Sequence, residues 1–338
     1  MFRPRSKKIG ILILGLIVYA TNGRADEAKA IKTIEGLGAR ITMDKQRPDQ
    51  PVVSVDLANL SVTNANFTEL KEFKNLQSLS LNNTSVTEVG LKELHELKNL
   101  RSLSLTGVNV TDSSLAELKK LSDLNYLSLT YTKVTDAGLA DLKELENLQS
   151  LNLSNTKITD VGLKDLEQLT NLRSLDLSLT AVTDVGLKEL QKLKNLQSLN
   201  LSNTKVTDAG LKELRELQSL QSLTFTGGNV SDASMTELKE LKNLQSLSLI
   251  YTSVTDVGLR ELQELPNMHS LSLNNTKVTE SGLQVLKDLK NLKSLSLVHT
   301  KVSVAGFKGL KTALPETSIS YVENSQVSER SKGKNCGK

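Results

Sequence analysis

The feature that most constrains this chain is a sentence it keeps rewriting at a fixed spacing of 24 residues. The stretch LQSLSLNNTSVTEVGLKELHE, Leu76 to Glu96, returns with small edits, so that leucines fall at Leu76, Leu100, Leu124, Leu148, Leu172, Leu196, Leu220 and Leu244, followed by Met268 and Leu292. A repeat of this length specifies a stacked array, in which each unit buries its apolar face only against its neighbours.

Each unit has two halves with different periods. Leu79 and Leu81 alternate with Ser78 and Ser80, the period of two expected of a short strand with one buried face. After the turn Asn82-Asn83-Thr84, the apolar residues Leu91, Leu94 and Leu97 follow at a spacing of three, which places them on one stripe of a helix. Glu88, and at the same place Asp136, Asp160, Asp184, Asp208 and Asp256, directly follows a Thr that can cap the helix, so a carboxylate faces the positive end of its dipole. The Gly90 position is Gly or Ser in every later unit through Gly306, which implies that the helix backbone passes too close to a neighbour for a larger side chain.

The pattern LxxLxLxxTxVTDxGLxxLxxL resembles the leucine-rich-repeat family over roughly residues 52 to 321. Among its subtypes it is most similar to the cysteine-containing class of F-box substrate receptors and secreted bacterial repeat proteins. Thr84, Thr132, Thr156, Thr180, Thr204, Thr252, Thr276 and Thr300 stand where that class often carries Cys. Their hydroxyls can still bond the backbone of the adjacent turn. The resemblance implies an α/β right-handed solenoid, with parallel strands concave and helices convex, used to bind other proteins. Strand centres from Val55 to Ile319 give about twelve turns.

Residues 1–25 read as a secretory signal, with a basic start, an apolar run from Ile9 to Ala20 and small residues at Ala20 and Ala25 that suit cleavage. The run is short for a membrane span, so none is expected after cleavage. Arg3, Arg5, Lys7, Lys8 and Arg24 make the formal charge of +4 misleading. Without them, and without the basic tail from Asn324 to Lys338, 33 basic residues face 37 acidic ones. Nucleic acid is not an expected partner for such a body, because phosphate binding needs a basic stripe.

Residues 26–51 are expected to form a cap of a short helix and a strand, ahead of a solenoid over 52–322 and a disordered tail over 323–338. Two units depart from the consensus in parallel, TGVNVTDSSLAEL from Thr106 and TGGNVSDASMTEL from Thr226. Tyr131 and Tyr251 share their offset of five units, so a block near residues 76–195 is read as duplicated to give 196–315. Common ancestry suffices to explain the shared oddity, although a Gly-containing turn could also open room for a ligand. In the last unit Phe307 and Leu310 keep the helix stripe, while Ala313 stands in the third leucine position.

No catalytic constellation is legible. Ser78 and its successors form a ladder without a plausible base, and His95, His269 and His299 are scattered over different elements. No metal-ligand spacing or cofactor motif is found, and Cys336 is the only cysteine. The expected function is therefore a secreted or envelope-located scaffold that binds a protein or peptide without catalysis. A substrate-recognition subunit of ubiquitin-ligase type and a passive envelope spacer are the alternatives. Large side chains gather at the strand flanks, and the candidate contacts are Tyr126, Tyr131, Arg173, Asp176, Leu179, Ile250, Tyr251, Val298 and His299. Tyr131, Leu179 and Tyr251 take sites that other units fill with Asn or Gly, and they are expected on one lip of the concave face.

Overall fold

The structure is a computed structural model that describes residues 25–322. The signal segment expected over 1–25, apart from Ala25, and the basic tail expected over 323–338 lie outside the described residues.

The described chain is one sheet whose strands follow sequence order without a crossover: β1 (Arg40–Met43), β2 (Val52–Asp56), β3 (Ser78–Ser80), β4 (Ser102–Ser104), β5 (Tyr126–Ser128), β6 (Ser150–Asn152) and β7 (Ser174–Asp176). It continues with β8 (Ser198–Asn200), β9 (Ser222–Thr226), β10 (Ser246–Ile250), β11 (Ser270–Ser272), β12 (Ser294–Ser296) and β13 (Ser318–Ser320). From β2 onwards every pairing is parallel, with partners 24 residues apart, as in Leu79↔Leu103 and Leu295↔Ile319. Twelve parallel strands thus form the concave face of a right-handed solenoid, and the other half of each unit returns along the convex side. The sheet period of two puts Leu79 in the core and its flanking serines on the concave surface.

At the N-terminal end β1 runs antiparallel to β2, with Ile41 opposite Val55, and a helix over residues 25–36 buries Ala30 and Ile34. Glu27 accepts a 3.1 Å hydrogen bond from the Val52 amide, and Arg40 pairs with Asp56 at 2.5 Å. Phe67 and Phe73 fill the first unit beneath them.

The convex segments differ from a uniform helix. Glu88–Lys92 is α-helical but Glu93–Glu96 is 3₁₀, the same break recurs at Lys164 and Lys188, and Leu211–Glu216 is 3₁₀ throughout. A spacing of three suits a helix with three residues per turn and is also met by a short α-helix, as in Glu280–Asp288, where Leu283 and Leu286 are buried on α-helical backbone. The last unit widens the stripe. There Val304–Ala313 is a full α-helix, and Leu314 rather than Ala313 joins Leu310 in the core, at the wider spacing an α-helix also admits. Phe307 stacks on Tyr321 with ring centroids 4.8 Å apart, and the Tyr321 hydroxyl donates to the Val302 carbonyl.

Hydrogen bonds tie successive units along two edges. Asn99, Asn147, Asn171, Asn195, Asn243, Asn267 and Asn291 each donate a side-chain N–H to a carbonyl of the preceding unit at 2.8–3.0 Å. At the helix starts the carboxylates of Asp112, Asp136, Asp160, Asp184, Asp208, Asp232 and Asp256 reach forward to the next unit. Each accepts the amide of the following cap, Thr135 through Thr279 with Ser231 in the middle, at 2.7–2.8 Å. The second carboxylate oxygen accepts the same residue's hydroxyl at 2.5–2.7 Å.

The cap hydroxyl in turn accepts an amide of its own helix, as Thr159 does from Val161. One aspartate per unit therefore serves its own helix dipole and orients the next cap. The glycine beside it is explained by the same carboxylate. A Cβ on Gly186 would lie 2.4 Å from Asp160 Oδ1 and 2.9 Å from Leu163 Cδ1.

Candidate binding site

The turn after each strand is built by backbone demands that recur every 24 residues. Thr84, Thr132, Thr156, Thr180, Thr204, Thr252, Thr276 and Thr300 each donate their hydroxyl to the carbonyl three residues earlier, at 2.6–2.8 Å. These threonines close the turn from inside, as expected of residues standing in the Cys position. The residue just before each of them is left-handed. Asn59, Asn83, Asn155, Asn203 and Asn275 have φ between 53° and 62°, and Gly107 and Gly227 sit in the same column. Asn and Gly are the residues that adopt this conformation most readily.

Four members of the column break that rule. Tyr131, Leu179, Tyr251 and His299 hold φ of 57–58°, a conformation that tyrosine and leucine disfavour and that histidine adopts more readily. All four are exposed, Tyr131 by 61%, Leu179 by 46% and Tyr251 by 60%. Their backbones stay in the array, since Tyr131, Leu179 and Tyr251 donate N–H groups to the Ser154, Ser202 and Asn274 carbonyls. The sequence places the four at intervals of two, three and two units, so at about 4.8 Å per strand they span roughly 35 Å of one lip.

The other candidate residues divide around this row. Ile250 and Val298 are half-buried immediately before Tyr251 and His299, which gives the lip apolar pairs towards its C-terminal half. Asp176 lies at the centre of the concave face, where it accepts the Ser178 amide and hydroxyl through Oδ1 and an Asn200 side-chain N–H through Oδ2. Tyr126, 37% exposed, opens β5 between Ser102 and Ser150. Arg173 is exposed just before β7, so about 20 Å of strand and turn separates it from Leu179. The structure therefore groups Tyr131, Leu179, Ile250, Tyr251, Val298 and His299 on one lip, with Asp176 on the floor and Tyr126 and Arg173 towards the opposite lip.

The floor carries hydroxyls bonded to one another, which the sequence alone did not reveal. Thr106 meets Ser128 at 3.1 Å, the Ser154 and Ser178 hydroxyls lie 2.9 Å apart and Thr226 donates to Ser202 at 3.1 Å. At Ile250 that polar column gives way to an apolar side chain. The convex surface is instead laced by ion pairs between units, such as Lys194–Glu216 at 2.9 Å and Lys239–Glu261 at 2.9 Å. The Lys194 hydrogen bond holds the exposed Glu216 carboxyl below its ordinary value. His95 and His269 each place Nδ1 at 2.5 Å from a nearby backbone carbonyl, on different elements. No described helix is long and apolar enough to cross a membrane.

A leucine-rich repeat region profile matches residues 52–319, which is most of the chain. The protein belongs to the leucine-rich-repeat family. An internalin of Listeria monocytogenes has a similar solenoid, with a TM-score of 0.57 at 24% identity over 83% of this chain and 92% of that one. A leucine-rich-repeat protein of Leptospira interrogans is similar with a TM-score of 0.53 at 25% identity, over 74% of each chain. No curated protein matches the sequence. In this leucine-rich-repeat protein the consensus explains the strand, the turn and the cap, while the four large side chains of the lip are its own departures.

Proposed function

We propose that this leucine-rich-repeat protein is a secreted or envelope-located scaffold that binds a protein or peptide, without catalysis, along the lip formed by Tyr131, Leu179, Tyr251 and His299. The observation that carries the reading is the pairing of left-handed backbone with exposed, bulky side chains in a column where Asn and Gly would be unstrained. Strain of this kind concentrates at binding surfaces, where side-chain identity serves contact rather than folding. Tyrosine and large apolar residues are also the side chains that dominate interface energies. Secretion rests on the basic and apolar composition of residues 1–25.

The test is affinity capture from an envelope extract with the full chain and with a Tyr131→Ala/Tyr251→Ala variant, followed by titration of the captured partner. Each substitution should weaken binding by about 1–2 kcal/mol while leaving the melting temperature nearly unchanged. Equal affinity in the double variant would move the site off the lip. Mature N-terminal sequencing checks the secretory element separately, and an intact Met1 in a soluble cytoplasmic fraction would refute it.

A further inference from the structure

The flank between the lip row and the convex segments changes character in the unit of β7. Beside the lip runs a column of exposed lysines, Lys133, Lys157, Lys205, Lys277 and Lys301, each two residues after a lip residue. Their backbones are pinned to the preceding unit, as Lys157 donates its amide to the Val134 carbonyl at 3.1 Å and Lys205 to the Val182 carbonyl at 2.9 Å. Convex lysines such as Lys194 and Lys239 are held in ion pairs between units, but none of these five has an ion-pair partner among the described residues.

In the unit of β7 the lysine column holds Ala181, and the lip row beside it holds Leu179. The same flank carries Val161 and Val185 at the starts of convex segments, 75% and 72% exposed. Bonds between the two units bring these residues together. The Ala181 amide donates to the Ile158 carbonyl at 3.0 Å, and the Thr183 hydroxyl donates to Asp160, the residue before Val161, at 2.6 Å. Val161, Leu179, Ala181 and Val185 thus form an exposed apolar patch, with Lys157 on one side and Lys205 on the other. Duplication does not account for it, since the residues 120 positions on are Ser281, His299, Lys301 and Ala305.

We infer that this patch docks an extended acidic segment of a protein partner, with an apolar side chain seated on Leu179 and Val185 and carboxylates on either side of it meeting Lys157 and Lys205. This deepens the proposed function and rests on it. An exposed apolar patch with a polar rim is the anatomy of an interaction site, and the sign of the rim charge selects the partner. Lys157 and Lys205 are two units apart, about 10 Å along the sheet, which an extended chain spans in about three residues.

The same charges decide against other occupants. Two-fold pairing of two copies on this patch would set Lys157 of one molecule against Lys205 of the other. Asp160 and Asp184 share the flank, but each is half-buried with both carboxylate oxygens bonded to the next cap, so the lysines are the charges left to pair. A phosphate polymer is charged at every step and would lie over those carboxylates too, whereas a protein segment can set its acids over the lysines alone.

The probe is a fluorescein-labelled peptide of four Glu-Leu-Ser repeats, titrated with the full chain at low and at high salt and followed by fluorescence anisotropy. It should saturate at least tenfold more tightly than peptides of Gln-Leu-Ser, Glu-Ser-Ser or Lys-Leu-Ser repeats and than a twelve-nucleotide thymidine strand, and salt should weaken it. Lys157→Gln/Lys205→Gln should weaken the peptide at least tenfold and flatten its salt dependence. Leu179→Asn, which restores the residue of the neighbouring lip positions, should weaken it at least fivefold at both salt concentrations. Neither variant should lower the melting temperature, because the replaced side chains are exposed. Lys277→Gln, three units beyond Lys205, should bind as the parent does.

The inference is overturned if the Glu-Leu-Ser peptide does not saturate, if either patch variant binds it as the parent does, if Lys277→Gln weakens it equally, or if any comparison probe binds as tightly. No peptide binding, together with loss of the captured partner in the Tyr131/Tyr251 variant, would sink the patch and leave the lip. Peptide binding, together with a captured partner that this variant holds as well as the parent, would sink the lip and leave the patch.

Discussion

Two columns of this solenoid recur at the same 24-residue spacing and behave in opposite ways. In the capping column, Asp112 through Asp256 are all aspartate, and each carboxylate is bonded to the backbone and hydroxyl of the next unit. In the lip column, beginning at Asn59, the residues are Asn, Gly, Tyr, Leu and His, and what repeats is the left-handed backbone rather than the side chain. The difference teaches how to read such an array. A position is uniform where its side chain is bonded to the neighbouring unit. It varies where the recurring bonds are made by the backbone, even though single side chains there also pair, as Asn83 does with Asn59.

The largest test asks whether the capping column carries the array. Deleting Leu148 to Asn171 removes one whole unit, joins Asn147 to Leu172 and leaves Asp136 facing Thr183 in place of Thr159. That variant should melt cooperatively close to the parent, as expected of a stack of nearest-neighbour interfaces. Deleting only Leu148 to Thr159 removes a strand and a cap together, so it should melt broadly at a much lower temperature. Equal melting of the two variants would refute the equivalence of units. Next in size is Gly186→Val. Its side chain would collide with the Asp160 carboxylate and Leu163, and overpacking of this kind costs about 1–3 kcal/mol, seen as a lower midpoint in urea. An unchanged midpoint would mean that the ladder moves aside freely.

The strand and the convex stripe were legible because their side chains are buried with a strict period. The repeat length, the Thr caps and the small residue at Gly90 were read for the same reason. Other features were hidden by ambiguity in what a spacing of three can mean. Leu91, Leu94 and Leu97 fit both an α-helical stripe and a 3₁₀ turn, and the structure mixes the two. The forward reach of the aspartates was not legible, since Asp at a helix start already has a local explanation in the dipole. The lip residues were found as exceptions to a column, but their left-handed backbone was not read from the sequence.

A smaller effect sharpens the chemistry of the capping column through pH. Burial pushes the Asp208 carboxyl up, but hydrogen bonds from the hydroxyls and amides of Ser231 and Ser234 outweigh it and leave the group below its ordinary 3.8. A carboxyl that is a stronger acid when folded gives stability that is fully present above its unfolded pKa and is lost as pH falls through the folded value. Asn64 is a natural neutral version of the same rung, bonding the Thr87 amide at 3.1 Å and its hydroxyl at 2.8 Å. Asp208→Asn should therefore fold, with about 1 kcal/mol less stability at neutral pH where the charge-assisted bonds are lost. Urea unfolding at pH 7 and near pH 2 should show the gap between variant and parent closing in acid. A gap of constant size would mean that the carboxylate charge contributes nothing to the rung.

The smallest effect is the one that bears most directly on the lip, and it has the opposite sign. If Tyr131 and Tyr251 are held left-handed for the sake of a partner, then folding would be better served by the asparagine that Asn83 and Asn155 provide at the same place. Left-handed backbone costs an ordinary residue roughly 1–2 kcal/mol, and asparagine less, so Tyr131→Asn should raise stability by about 0.5–1 kcal/mol. Little packing is lost to offset this, because both rings are about 60% exposed. The two sites are five units apart, about 24 Å along the sheet, so the double variant should gain the sum of the single gains. The measurement is the urea midpoint of the two single variants and the double variant, set beside their affinity for the captured partner. Higher stability with weaker binding is the outcome expected of strain kept for contact. A loss of stability in both single variants would show that the rings pack on the turn, and the contrast between the two columns would then be one of packing rather than of function.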